Sequence, residues 1–93
     1  MQQLNFVRIG SDFTSDSFQA ESGTVVVRVE MKTPGAIVLE RSITGEKFIP
    51  DGIISQTDSR SKIIEKNVIG CVPGQYLRLG FIDCEPEKIY VLQ

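Results

Sequence analysis

Ninety-three residues supply one hydrophobic core and not two, and an apolar fraction of 41% with 24% charged residues places the chain among globular proteins. Ten basic and twelve acidic side chains leave a formal charge of −2 with no block of one sign, which argues against a nucleic-acid partner, because such proteins display a basic stripe toward phosphate. The chain has no His, so the commonest general base and nucleophile activator is missing and most hydrolases are excluded.

In chain order, Leu4 to Ile9 reads as an N-terminal strand, and Phe13 to Ala20 as a weaker strand or ordered loop within the softest stretch, Ser11 to Ser22. Thr24 to Lys32 carries the clearest signal, with Val25, Val27, Val29 and Met31 alternating against Val26, Arg28, Glu30 and Lys32. Period two with β-branched residues specifies a half-buried strand. Thr33-Pro34-Gly35 breaks the run, and Ala36 to Ser42 is expected to return as its hairpin partner. Thr44-Gly45 marks the next turn, Glu46 to Ile49 a short strand, and Pro50-Asp51-Gly52 a further turn. Ser59 to Ile69 fits neither period; β-branching favours a strand, with a short helix at Arg60 to Lys66 as the alternative. Gln75 to Ile82 sets Leu77, Leu79 and Phe81 against Tyr76 and Arg78, and Lys88 to Leu92 closes the chain. Turns recurring about every ten residues give an all-β fold, a small antiparallel β-sandwich or barrel of about seven to eight short strands in a single domain, residues 1–93.

The chemistry-bearing residues are sparse. Cys71 and Cys84 are too few for a disulfide scaffold and have no partners for zinc; they read as buried thiols, with a Cys71 to Cys84 bridge as the alternative. Asp51 and Asp58 sit in turn sequence and are read as turn formers. Asp12, Asp16 and Glu21 lack the spacing of a calcium loop, and the dispersed glycines draw no phosphate loop. No cofactor, metal or catalytic residue is expected. The longest apolar run, Ala36 to Leu39, is too short for a membrane span, and the first ten residues lack a signal-peptide pattern, so a cytosol-made protein with no membrane partner is expected. Val26, Arg28, Tyr76 and Arg78 face away from the predicted core and combine area with directional donors, the mixture found at interface centres. For Arg78 an ion pair with Glu30 or Glu40 is the competing reading.

From Gly23 to Phe81 the order of features resembles the small auxiliary, or decoration, capsid proteins of tailed bacteriophages. The residues carrying the likeness are the strand Thr24-Val25-Val26-Val27-Arg28-Val29, then Gly35-Ala36-Ile37-Val38-Leu39-Glu40-Arg41-Ser42, Ile43-Thr44-Gly45-Glu46-Lys47-Phe48-Ile49-Pro50 and Pro73-Gly74-Gln75-Tyr76-Leu77-Arg78-Leu79. Thr44 and Phe48 depart from that style, in which Asp and Trp are frequent. The resemblance implies a non-enzymatic virion protein, made in the host cytoplasm, that docks on a major capsid protein or another large virion protein. A homo-oligomer is compatible with it. A tail or baseplate subunit, or a β-sandwich carbohydrate or receptor-binding module, is the alternative; the latter calls for exposed loop aromatics, for which Phe13, Phe18 and Phe48 are candidates.

Overall fold

The computed structural model describes residues 1–93 and contains ten strands and no helix. They are β1 (Gln2–Leu4), β2 (Phe6–Ile9), β3 (Asp12–Ser15), β4 (Phe18–Gln19), β5 (Thr24–Met31), β6 (Ala36–Ser42), β7 (Ile49–Gln56), β8 (Ile63–Ile69), β9 (Tyr76–Ile82) and β10 (Pro86–Leu92). One sheet runs β1-β10-β5-β8; the other runs β2-β3-β9-β6-β7, with β4 beside β9, and every pairing is antiparallel. This is the expected sandwich, built from more and shorter pieces than the turn spacing suggests. Val25, Val27, Val29 and Met31 on one sheet and Ile37, Leu39, Leu77, Leu79 and Phe81 on the other are buried between them, joined by Ile89 and Val91 of β10. The odd-numbered inward register read from period two is therefore the observed one.

Several connections differ from the sequence reading, each for a physical reason. β5 and β6 are not a hairpin: Thr33-Pro34-Gly35 carries the chain from one sheet to the other, and β6 pairs with β7 and β9 instead. The short strand expected at Glu46 to Ile49 is absent, because the chain remains in loop until Ile49. Pro50-Asp51-Gly52 lies inside β7 rather than turning it. The register slips there, from Val38↔Ile53 to Glu40↔Pro50, and again between Ile37↔Ser55 and Val38↔Ile53. These are bulges, and Gly52 at φ 95° supplies a conformation that an ordinary residue resists. Pro50 is tolerated because β7 ends its sheet.

Leu4 to Ile9 splits at Asn5, where the chain changes sheets. The stretch 11–22 is tied down rather than soft: Phe13, Ser15, Phe18 and Ala20 are buried. β3 and β4 are two halves of one strand lying along β9. At the break the Leu79 N–H donates to the Ser15 hydroxyl at 2.9 Å, which replaces a ladder bond. Residues 63–69 form a strand, not a helix, because seven consecutive pairings hold them to β5.

Three sheet-to-sheet crossings meet at one end of the sandwich: 32–35, 57–62 and 83–85. The Gly35 N–H donates to the Thr57 hydroxyl at 3.0 Å, and the Thr57 N–H donates to the Gly35 carbonyl at 2.9 Å. Glu85 N–H donates to the Thr33 hydroxyl at 2.7 Å, and Lys32 N–H donates back to the Glu85 carbonyl at 2.9 Å. Asp58 stiffens the second crossing by accepting the Arg60 and Ser61 N–H groups, both at 2.8 Å.

A Cβ added at Gly35 meets Cys84 Cβ at 2.5 Å and Sγ at 2.7 Å. Gly35→Ala is therefore expected to destabilise the fold by about 1–3 kcal/mol, read as a lowered urea midpoint. The two N–H donors also hold the Asp58 carboxyl below its ordinary value. A depressed folded pKa contributes stability above the unfolded value, and that contribution is lost as pH falls through the folded pKa. Between pH 5 and 2 the melting temperature of Asp58→Asn is expected to fall less than that of the parent, a difference that thermal scans in matched buffers measure.

Candidate interaction surfaces

The four residues selected from sequence all face away from the core, but they do not form one surface. Val26 and Arg28 lie on the outer face of the β5 sheet, and Tyr76 and Arg78 on the outer face of the β9 sheet, on opposite sides of the sandwich. Period two predicts which residues point outward; it carries no information on which sheet each strand joins.

Tyr76 and Arg78 are engaged by their own chain. The loop 43–48 folds over this face, and a Cβ at Gly45 would stand 3.2 Å from the Tyr76 ring. Gly45 has φ 83° and its N–H donates to the Ser42 hydroxyl at 2.9 Å, which fixes the fold-over. Arg78 Nε donates to Glu40 Oε1 at 2.6 Å, in the register pair Glu40↔Arg78, and the guanidinium sits 4.1 Å from the centre of the Phe48 ring. The Glu40 ion pair weighed from sequence is thus formed, and Phe48 gives it an aromatic floor.

On the opposite face the residues around Arg28 come from the strands of the sheet itself. Arg28 Nη1 donates to Glu65 Oε1 at 2.8 Å, and Nε approaches Glu30 at 3.5 Å. The guanidinium is held above its ordinary value, chiefly by the Glu65 hydrogen bond. Tyr90 of β10 stands opposite Arg28, and Leu92 stands opposite Val26. Val26 and Tyr90 are half-buried and Leu92 is exposed, so an apolar pair lies beside an aromatic and a paired Arg.

The remaining chemistry is dispersed. Cys71 contacts Gly23 before β5, and Cys84 contacts Gly35 after it. An eight-residue strand at about 3.3 Å per residue separates these ends, far beyond the about 7 Å between Cα atoms that a disulfide tolerates. The bridge alternative is therefore incorrect, and both thiols are free and buried. Burial raises the Cys84 thiol pKa, with Asp12 and Asp83 adding to the effect. The Asp12 carboxylate accepts the Asp83 N–H at 2.8 Å and that of Asp16 accepts the Asn5 N–H at 3.3 Å, separate structural uses. No group of three His, Cys, Asp or Glu side chains is placed to hold a metal ion. No helix is long and apolar enough to cross a membrane. Of the candidate loop aromatics, Phe13 and Phe18 are in the core and Phe48 lies beneath Arg78.

Sequence reasoning missed a third surface. Ile43 is 89% exposed, Ile49 72% and Val72 60%. Ile43 and Ile49 line an open groove of about 490 Å³ with Lys47 and Gln75, and Ile43 and Val72 share the adjoining hollow. The available signal was a large aliphatic residue next to turn formers, as in Ser42-Ile43-Thr44-Gly45 and Cys71-Val72-Pro73-Gly74.

Comparison with family models, with curated proteins and with solved structures finds no match for the chain.

Because Arg78 is satisfied internally, Arg78→Ala is expected to cost about 1–2 kcal/mol of folding stability rather than act on binding alone. A double-mutant cycle with Phe48→Leu in urea should return a coupling of about 0.5–1 kcal/mol.

Proposed function

We propose that the chain is a non-enzymatic structural protein of a bacteriophage virion, an auxiliary capsid protein that docks on the assembled shell and stabilises it. The observation that carries the docking part of this reading is the partly exposed outer face of the β5 sheet, where Val26, Leu92, Tyr90 and Arg28 lie together. An aliphatic pair beside Tyr and a pre-oriented Arg provides contact area and directional donors at low ordering cost. The capsid part rests on the sequence resemblance. Buried side chains in this fold are apolar or small and hydrogen-bonded, and the ion pairs join neighbouring strands, neighbours along β5 or connectors. A module of this kind acts by mass action: binding the assembled shell better than the free subunit lowers the free energy of the assembly by the difference, repeated over many copies. The carbohydrate-binding alternative loses support, since the three aromatics it relies on are in the core or under an Arg.

Cryo-microscopy of the parent particle should find the domain as repeated density on the shell. Leu92→Asp or Arg28→Ala should weaken co-sedimentation of the purified chain with that shell by about 1–2 kcal/mol, roughly five- to thirtyfold in affinity, with little change in melting temperature. Density confined to the tail would replace the capsid assignment with the tail one. No co-sedimentation at all would overturn both.

A further inference from the structure

We propose that the outer face of the β9 sheet, at the end away from the 43–48 loop, is a docking site for a segment of another protein that presents Lys or Arg between aliphatic residues. Gly80 of β9 is the seat of that basic side chain. This surface lies across the sandwich from the β5 face assigned to the shell, and it does not depend on that reading.

Nothing within the chain requires a glycine at position 80. Its φ is not in the left-handed region, and a Cβ built there meets no atom closer than 3.8 Å. Gly35, by contrast, has Cys84 in the space of its missing side chain, and Gly45 combines a positive φ with the Tyr76 ring. β9 runs along β6 without a register slip, so Gly80 marks no bulge either. Glycine inside a strand weakens it; where neither backbone nor packing asks for one, it leaves room for a close approach from outside.

The surroundings of this notch are apolar. The register places Val7, Thr14, Gly80, Val38 and Ile53 in one row across five strands. Val7 and Ile53, at the ends of the row, are 60% and 61% exposed, and Ile9 and Ile82 beside it are 61% and 50% exposed. At the centre, where no side chain rises from Gly80, a hollow of about 240 Å³ opens between Thr14, Val38, Pro50 and Ile82. Aliphatic side chains gathered in this way on an outer face mark a contact surface.

Charge decides the occupant. Two carboxylates line the hollow, Asp12 and Glu40, and no cation does. Glu40 is held by Arg78. Asp12 is in no ion pair, and neither is Asp83, whose N–H the Asp12 carboxylate accepts at 2.8 Å. Arg8, the cation nearest Asp12 in sequence, stands opposite Phe13 and so turns to the other side of the sheet. A two-fold contact between copies sets one patch against itself, and this patch would bring acid to acid with no free base. A side chain with an apolar stem and a cationic tip satisfies both parts of the site: the stem lies over Gly80 between Val38 and Ile82, and the tip reaches Asp12. Aliphatic neighbours of that residue then meet Val7, Ile9 or Ile53.

Selection from a displayed library of random peptides against the immobilised full chain, with the Gly80→Thr chain as counter-target, tests this. Sequences retained by the parent alone are expected to carry Lys or Arg beside Val, Ile or Leu. Titrated as synthetic peptides, they should shift the amide resonances of Thr14, Val38 and Gly80 and leave those of Val26 and Arg28 in place. Gly80→Thr should weaken them about tenfold or more, with an unchanged or raised melting temperature, because a β-branched residue suits a strand better than glycine. Gly80→Ala repeats the test with the smallest side chain. Asp12→Asn, which keeps the acceptor for the Asp83 N–H, should weaken them about two- to fivefold. The proposal is overturned if no sequence separates the parent from Gly80→Thr, if the separating sequences lack a basic residue, or if their shifts fall on the β5 face. A lowered melting temperature in both Gly80 variants would show that the glycine serves the fold, and would overturn it as well.

Discussion

Gly35 is the point at which the two sheets are held in relation to each other. Its N–H and carbonyl are both bonded to Thr57, and its missing side chain leaves the space that Cys84 occupies, so three separate crossings share one residue. In a domain of this size little apolar area is available to offset chain entropy. A bonded junction of crossings fixes the sheet separation and lets Val25, Val27, Val29, Leu77, Leu79 and Phe81 interdigitate in one register. The hydrogen bonds matter chiefly because their alternative is buried, unpaired backbone, which costs more than each bond returns.

The outer faces show a division of labour between two similar residue sets. Each presents an Arg and an aromatic residue next to one another. On the β9 face the loop 43–48 bends back and occupies both, through the close approach of Gly45 to Tyr76 and of Phe48 to Arg78. On the β5 face, Arg28 is oriented by Glu65 and Glu30, and its apolar neighbours are half-buried or, at Leu92, exposed. The same amino-acid types are thus structural on one side and available on the other. The difference lies in where one loop travels.

That difference explains what could be read before the structure. Alternation in Thr24 to Met31 and Tyr76 to Ile82 determined the core and the outward set, because side-chain period is a local property of an extended strand. Sheet membership is not local. Thr33-Pro34-Gly35 has the composition of a tight turn, and nothing in its residues reports that Glu85 and Thr57 await it across the sandwich. Pro50-Asp51-Gly52 likewise has turn chemistry, yet with β6 alongside, the same positive φ at Gly52 yields a bulge. The Arg78–Glu40 pair was legible as a candidate because both lie on outward positions; its aromatic floor was not, since Phe48 reaches it from a loop. The aliphatic end escaped notice because each of its members is isolated in sequence and only the fold gathers them.

Two edge strands turn a charge inward, Lys66 of β8 opposite buried Val27 and Arg8 of β2 opposite Phe13, and this has a consequence for crowding. A β-domain displayed at high local density faces a hazard that dilute solution does not impose: neighbouring sheets can merge by exchanging backbone bonds, and the merged state grows without limit. Extending either sheet across these strands would sequester an ammonium or guanidinium group between apolar layers without its water, a cost that rises with every unit added. Copies packed shoulder to shoulder therefore remain countable objects, able to arrive and leave one at a time.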